Sequence, residues 1–306
     1  MIPYFASFVF GIFIGSFLNV CIYRVPRGMS VALPRSFCPL CSAPLAPAHL
    51  VPLASYAALR GRCAFCGGRI SARYPAVELL CGLLWAGMFR MFSLSFELFC
   101  YGAFFSILLA IVFIDAEWYV IPNPLVLAAM LPAVAAFARH VAAVSGLAPG
   151  LGGAAGYGGA AGGAGLGISN AAGVAGAPAG GGLVARSAGA YALASPYGSA
   201  SPMAPLLGLI PGAAFFLAIY IIALLFFKSD RAIGMGDVKL FIPVGLILGL
   251  RLCLIAVFAS VFLGGLCGGA LILVGRKTKK DSIPLGPFIA IGALAALAGW
   301  RFNFFW

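Results

Sequence analysis

The sequence predicts an all-α polytopic membrane protein with about eight transmembrane helices. Hydrophobic residues make up 63% of the 306 residues, and charged residues only 8%. The mean hydropathy is +1.10. Soluble domains carry about 25% charged residues, and a helix needs roughly 20 apolar residues to cross a hydrocarbon core about 30 Å thick. The composition therefore excludes an ordinary soluble domain.

Eight apolar runs are candidates for the transmembrane helices. They lie at about 3–23, 75–92, 97–114, 119–138, 205–227, 238–250, 252–275 and 286–304. Only Arg251 separates the sixth run from the seventh. The first run has no basic residue before it, whereas a signal peptide begins with positive charge, so we expect it to be a retained helix.

The net charge of +12 is distributed as a topology signal. If the N-terminus lies outside and the eight runs alternate, 14 of the 19 basic residues fall in cytoplasmic segments and five in outer segments. Cytoplasmic loops of membrane proteins are enriched in lysine and arginine. We therefore expect no nucleic-acid partner, although the basic segments could attract anionic lipid headgroups.

Five regions follow from these runs. Residues 1–23 form the first helix, and 24–74 form a cytoplasmic loop without acidic residues. Helices occupy 75–140 and 205–306, and 141–204 is a Gly/Ala-rich insertion with one charged residue, Arg186. Because the insertion has few large apolar side chains to offset its ordering entropy, we expect a weakly ordered periplasmic linker.

Four of the nine cysteines have metal-ligand spacing in the 24–74 loop. Cys38, Cys41, Cys63 and Cys66 form two CxxC pairs. Two such pairs can place four thiolates tetrahedrally around Zn²⁺. Two disulfides are the alternative, but the predicted cytoplasmic side is reducing and favours the metal. The sequence therefore predicts a small cytoplasmic subdomain folded around a structural zinc ion, with no coordination position left open for chemistry.

Two aspartates stand at the predicted cytoplasmic ends of apolar runs. Asp115 follows the run Phe104 to Ile114, and Asp237 lies in Gly234-Met-Gly-Asp-Val-Lys239. A charge close to the membrane calls for a reason. Two neighbouring carboxylates can share a proton and divide the roles of base and acid, and the glycines would admit a peptide backbone. The alternative is that both aspartates are ordinary residues of the membrane interface or helix N-caps, and Glu117 is a weaker, more solvated candidate acid.

The ordered motifs resemble those of the type IV prepilin peptidase family. They are Gly15-Ser-Phe-Leu-Asn-Val-Cys-Ile-Tyr-Arg-Val-Pro26, the double CxxC with Leu59-Arg-Gly-Arg-Cys63, Ile70-Ser-Ala-Arg-Tyr-Pro-Ala-Val-Glu78, Asp115 with Ile121-Pro-Asn, Gly234-Met-Gly-Asp-Val-Lys-Leu240 and Ile283-Pro-Leu-Gly-Pro-Phe288. The resemblance implies an inner-membrane aspartyl peptidase that cuts leader peptides from type IV prepilins or type II secretion pseudopilins. It also implies N-methylation of the new N-terminus with S-adenosylmethionine. Asp115 and Asp237 would be the catalytic pair, and the four cysteines the zinc ligands.

Two features depart from the family pattern. One is the 141–204 insertion, and the other is Leu50-Val-Pro52, where many relatives have Asn-Ile-Pro. The second bears on methylation more than on cleavage. Two other functions stay open at this point: a Gly-x-Gly-Asp protease that cuts within helices, and a zinc-ribbon membrane scaffold or transporter with structural aspartates.

Overall fold

The computed structural model describes residues 1–145, 195–197, 201–227, 234–275 and 283–302. Its helices are α1 (Ile2–Arg24), α2 (Ala54–Ala58), α3 (Arg73–Phe92), α4 (Phe96–Trp118), α5 (Asn123–Val144), α6 (Ala204–Leu207), α7 (Leu209–Phe227), α8 (Met235–Leu273) and α9 (Gly286–Arg301). The described residues contain no β-strand. The predicted all-helical fold is confirmed, and six segments are long and apolar enough to cross a membrane, with the shorter α9 besides.

Helices α1, α3 and α4 pack closely on one another. A Cβ added at Gly15 of α1 would lie 2.7 Å from Cα of Glu78 in α3, so the two backbones approach as near as a missing side chain permits. Ser7 Oγ donates to the Trp85 carbonyl at 2.9 Å, and Trp85 Nε1 donates to Ser106 Oγ of α4 at 2.9 Å. Small residues and interhelical hydrogen bonds are the usual means of joining helices in lipid, where burial alone drives little association.

Helix α8 folds back on itself at Gly249. Its 39 residues would span about 58 Å if straight, roughly twice the hydrocarbon core. Gly249 has φ 74° and ψ 176°, a conformation that a Cβ would penalise. Asp237 near the start of α8 interacts electrostatically with Asp115, and Gly286, which follows α8, is hydrogen-bonded to the same residue. Both ends of α8 therefore lie at one end of the molecule.

Two of the predicted helix boundaries lie elsewhere in the structure for a clear physical reason. The expected break at Arg251 lies instead at Gly249, because the turn requires a positive φ rather than a charge. The fourth helix begins at Asn123 rather than at 119, since Tyr119 adopts φ 55° and ends α4, and extended Pro122 precedes the new helix. Helices α4 and α5 are thus joined by a short connection at the same end of the molecule as Asp115.

The loop after α1 is organised by one buried side chain, Arg24. The residue is 4% exposed, and its guanidinium donates to the carbonyls of Ser30, Val31, Pro34 and Arg35 at 2.7–3.4 Å. A second link joins the loop to α3, since the Leu53 N–H donates to Glu78 Oε2 at 2.8 Å. The loop is therefore tied to the membrane helices by polar contacts at two points.

Most of the 141–204 insertion lies outside the described residues, so its predicted linker character stays a prediction. The chain returns to the bundle beside the end of α5. His140 Nε2 lies 3.1 Å from the Ser201 carbonyl oxygen, and the His140 ring packs 4.5 Å from the ring of Tyr197. Helix α5 also continues to Val144, beyond the predicted end of this run at about 138 and into the first residues assigned to the insertion.

Candidate active site and metal centre

Asp115 is a buried carboxylate near the C-terminal end of α4. Only 5% of the residue is exposed, and its Oδ2 accepts a 2.8 Å hydrogen bond from the N–H of Gly286, the first residue of α9. A helix N-terminus has unpaired N–H groups and favours negative charge. A Cβ at Gly286 would lie 2.9 Å from the same oxygen, so glycine leaves room for the carboxylate.

Asp237 is the third residue of α8 and is 8% exposed. Its Oδ2 accepts a 3.2 Å hydrogen bond from the N–H of Gly234, which closes the first turn of the helix. The adjacent Gly236 faces Ile121, since a Cβ there would lie 2.9 Å from the Ile121 Cβ. The Gly-Met-Gly-Asp motif therefore lets the start of α8 pack directly against the chain that follows Asp115.

The structure brings the two aspartates to the same end of the bundle and near enough to interact electrostatically. Each aspartate also accepts a hydrogen bond from a backbone N–H at the start of a helix, as the capping interpretation predicted. Capping does not occupy the whole carboxylate of either residue, because these hydrogen bonds involve only Oδ2. The arrangement places two acids at one end of the bundle, each beside one backbone N–H group, that of Gly286 or of Gly234.

Two neighbouring side chains take roles outside this pair. Glu117 is 41% exposed at its side chain and forms a salt bridge with Arg73 Nη1 at 2.6 Å. Its more solvated position agrees with the sequence interpretation. Lys239 Nζ donates to Asn123 Oδ1 at 3.2 Å and so connects α8 to the start of α5 rather than to either aspartate.

The four cysteines of the loop lie together. The Sγ atoms of Cys38, Cys41, Cys63 and Cys66 are all within 4.8 Å of one another, which confirms the prediction of one cluster. Each CxxC pair sits on a tight turn: Ser42 N–H donates to the Cys38 carbonyl at 2.8 Å, and Gly67 N–H to the Cys63 carbonyl at 3.0 Å. All nine cysteines are free thiols, so the alternative of two disulfides is not what the fold contains.

The donor set fits a tetrahedral metal ion. Four thiolates about 2.3 Å from Zn²⁺ stand roughly 3.8 Å apart, close to the spacing of this cluster. Backbone N–H groups of Cys66 and Phe65 lower the pKa of the Cys63 thiol to about 7, which favours the thiolate that binds metal. The cluster could therefore hold a metal ion without rearrangement of the loop.

Sequence reasoning missed the direct partners of the aspartates. Gly286 entered only as part of a motif before the last helix, and nothing in the sequence indicates that its N–H bonds to Asp115, 171 positions earlier. Arg73 entered only as a topology charge and as part of the Ile70–Glu78 motif, yet it connects the cysteine-loop end of α3 to Glu117. The glycines of the sequence motifs were the one feature that indicated a close approach of backbone to the aspartates.

Two protein families match parts of the chain. The Bacterial Peptidase A24 N-terminal domain matches residues 9–92, which include most of α1 and the four cysteines, and the Type IV leader peptidase family matches residues 181–269, which include Asp237. No solved structure matches the chain significantly. The family matches agree with the resemblance found in the sequence motifs.

Several curated relatives carry the name prepilin leader peptidase/N-methyltransferase. One from Bacillus subtilis is 32% identical over 289 residues, covering 94% of this chain and 91% of the relative. One from Legionella pneumophila is 26% identical over 96% of this chain and 92% of its own length, and one from Myxococcus xanthus is 44% identical over 44% of this chain and 40% of its own. With nearly full-length similarity to such relatives, the chain belongs to the type IV leader peptidase family.

Proposed function

We propose that this chain is a membrane aspartyl endopeptidase that removes the leader peptide from type IV prepilins or type II secretion pseudopilins. The observation that carries the proposal is the pair of buried carboxylates, Asp115 and Asp237, which lie at the same end of the bundle. Family membership supports the reaction, and the names of the curated relatives support the substrate class.

The chemistry follows from what two neighbouring carboxylates do. One proton shared by the pair leaves one carboxylate as a base and the other as an acid. The base takes a proton from a water molecule whose oxygen attacks the scissile carbonyl, and the acid protonates the carbonyl oxygen. Collapse of this tetrahedral species breaks the C–N bond, and the leaving amine takes a proton. Gly234 leaves room for an extended substrate beside Asp237, because a Cβ there would approach nothing nearer than Oδ2 of Asp237 at 3.6 Å.

The position of the pair suits a prepilin. Such a substrate has a basic leader followed by an apolar helix, so its scissile bond lies at the membrane surface. Asp115 and Asp237 lie at the ends of membrane-spanning helices, and the positive-inside distribution of the basic residues supports a cytoplasmic orientation for that end. We propose the bacterial inner membrane as the location, with the N-terminus and the 141–204 insertion outside.

We further propose that Zn²⁺ is held by Cys38, Cys41, Cys63 and Cys66, and that the chain methylates the new N-terminus with S-adenosylmethionine. Zinc bound by four protein thiolates supplies folding energy to a small loop and has no open position for a substrate. The methyl donor supplies the transferable carbon. The methyltransferase activity is supported by the names of the curated relatives rather than by any nucleotide-binding motif in this chain.

The decisive experiment uses membranes that contain the full chain and a model prepilin. Asp115→Asn and Asp237→Asn should each abolish cleavage while the protein still accumulates, because the amide cannot act as an acid–base partner. Glu97→Gln is a matched control, since Glu97 is a buried carboxylate at the other end of the same helix and glutamine still accepts a hydrogen bond from Arg139. Full cleavage by either aspartate variant would refute the paired-acid mechanism.

Mass spectrometry of the product N-terminus reports cleavage and methylation in one measurement. It also tests the two alternatives from the sequence. A scaffold or transporter produces no cut, and a helix-cutting protease produces a cut at another bond. Neither alternative is favoured, because the family and its curated relatives are leader peptidases.

A further inference from the structure

The last turn of α4 carries acidic residues at the end of the helix that disfavours them. Asp115 and Glu117 both lie within this turn, and the turn contains no basic residue. The C-terminal end of a helix has a partial negative charge, so cations stabilise it and anions destabilise it. Tyr119 ends α4 in the left-handed conformation, and its N–H donates to the Asp115 carbonyl at 2.9 Å. The backbone of Asp115 therefore takes part in the last hydrogen bond of a helix end that its own acidic side chains destabilise.

The compensating positive charge comes from α3. Arg73 Nη1 lies 2.7 Å from Oε1 and 2.6 Å from Oε2 of Glu117. Arg73 is the first residue of α3, whose first turn has no acidic residue, so this cation lies at the positive end of its own helix dipole. Each member of the ion pair is thus at the unfavourable end of its own helix. The pair compensates both placements only while the end of α4 and the start of α3 stay together.

A second arginine contacts the same turn of α4. The guanidinium of Arg27, which follows α1, lies 4.9 Å from the centre of the Trp118 ring and 4.0 Å from the centre of the Tyr23 ring. Its Nη1 also donates to the Tyr23 carbonyl at 2.5 Å, so the guanidinium is fixed on α1. Tryptophan is the aromatic side chain that attracts a cation most strongly. Two successive residues at the end of α4, Glu117 and Trp118, are therefore held by α3 and by the end of α1.

These contacts bear on the aspartate pair because Glu117 and Trp118 follow Asp115 within one helical turn. Local choices that oppose the stability of an element are expected at functional sites, where contacts elsewhere compensate them. Helix ends otherwise fray, and a displacement of about 1 Å at a reacting group can lower a rate about 100-fold. The Gly286 N–H holds the carboxylate of Asp115, and the two arginines hold the helical turn that carries it.

We propose that Arg73 and Glu117 are positioning residues of the peptidase. Their ion pair, together with the contact of Arg27 on Trp118, keeps the last turn of α4 helical and so fixes the place of Asp115. Glu117 thereby supports the acid pair and is not a third catalytic acid. The inference rests on the proposed peptidase function and adds to it two residues that act through Asp115.

The test reverses the two charges one at a time and then together. Cleavage of a model prepilin is followed in nanodiscs that contain the full chain, and kcat and KM are determined separately. Arg73→Glu and Glu117→Arg should each lower kcat at least about 10-fold with little change in KM, because like charges then push the two helix ends apart. The double variant Arg73→Glu with Glu117→Arg restores an ion pair and should recover most of the parental kcat. Arg60→Glu makes the same charge change at an exposed position of the cysteine loop and should cleave as the parent does.

Stability and substrate binding separate a positioning role from a purely structural one. Glu117→Arg places a cation at the C-terminal end of α4, and Arg73→Glu places an anion at the N-terminal end of α3, so each change favours its own helix. Both single variants should therefore accumulate in membranes in parental amounts. With Asp237→Asn added so that the prepilin stays uncut, both should bind it with parental affinity. A fall in kcat that only parallels a loss of folded protein, or no recovery in the double variant, would overturn the proposal.

The same measurements separate this role from direct recognition of the substrate and from failure of the peptidase proposal. If Glu117 bound the basic leader itself, Glu117→Arg would raise KM and the double variant would keep the raised KM, which would overturn the positioning role. A parent that cuts no prepilin would refute the peptidase proposal, and the positioning role with it. A parent that requires Asp115 and Asp237, but cuts equally fast after either single charge reversal, would refute the positioning role alone.

Discussion

The backbone N–H of Gly286 donates a 2.8 Å hydrogen bond to Oδ2 of Asp115. The contact joins the end of α4 to the first residue of α9. The position of Asp115 therefore depends on the last helix of the chain. The contact also holds one carboxylate oxygen and leaves the other to a substrate or water. The proposed pair is thus oriented by backbone rather than by a third side chain.

Gly286→Ala should lower the rate of prepilin cleavage by about 100-fold, because a displacement of a reacting group by about 1 Å can cost that much. The new Cβ would lie 2.9 Å from Oδ2 of Asp115 and must push the carboxylate away. Initial rates in nanodiscs measure the effect. Gly269→Ala is the control, since a Cβ there meets nothing within 4 Å, and its rate should be unchanged. Equal rates for both variants would contradict the positioning role of Gly286.

Gly236→Ala should reduce cleavage by about 10-fold or more through a different contact. The Cβ would lie 2.9 Å from that of Ile121 and would separate the start of α8 from the chain after Asp115. The double variant Gly236→Ala with Ile121→Gly removes the clashing Cβ and should recover part of the activity. If the second substitution gives no recovery, the loss does not arise from this contact.

Cys38→Ser should lower bound zinc, measured by atomic emission on the purified protein, because a hydroxyl is a poor substitute for a thiolate ligand. The loop should then become more susceptible to protease. Cys267→Ser is the control, as this thiol lies outside the cluster in the membrane-spanning part of α8. Parental zinc content in Cys38→Ser would refute the assignment of the metal ligands.

Arg24→Met should loosen the segment that follows α1 while the membrane helices stay folded. Hydrogen bonds to a charged group contribute about 1.5–3 kcal/mol, and Arg24 donates to four carbonyls between residues 30 and 35. Limited digestion with chymotrypsin should cut near Phe37 faster than in the parent. Arg60→Met, at an exposed position of the same loop, should be digested at the parental rate. Resistance of Arg24→Met would show that the loop does not depend on this side chain.

Local sequence patterns predicted the elements, while the contacts between them depend on packing. Long apolar runs predicted the helices, and CxxC spacing predicted the thiol cluster, because each of these patterns is contained in a short stretch of sequence. The break at Gly249 was misplaced to Arg251, since a chain with 41 glycines does not mark which one will adopt a positive φ.

The surroundings of the two aspartates could not be predicted from such local patterns. The aspartates were singled out because acids are rare in this chain, but their approach required α8 to fold back and α9 to return beside α4. The cavity of about 400 Å³ beside the cysteine loop could not be predicted either, because its walls come from α1, α3 and that loop together. The sequence does not indicate that Oδ1 of Asn19 lacks a hydrogen-bond partner, because the polar atoms of a buried asparagine are normally hydrogen-bonded.

The contact between His140 and the Ser201 carbonyl joins two points that are 61 positions apart in the chain. Because this contact holds together the two chain segments that flank the insertion, we expect the length of the intervening segment not to alter the placement of either aspartate. An affinity tag or a fluorescent domain spliced between residues 150 and 190 would therefore give purification or imaging access from the far side of the membrane. Cleavage in such a fusion should proceed as in the parent chain.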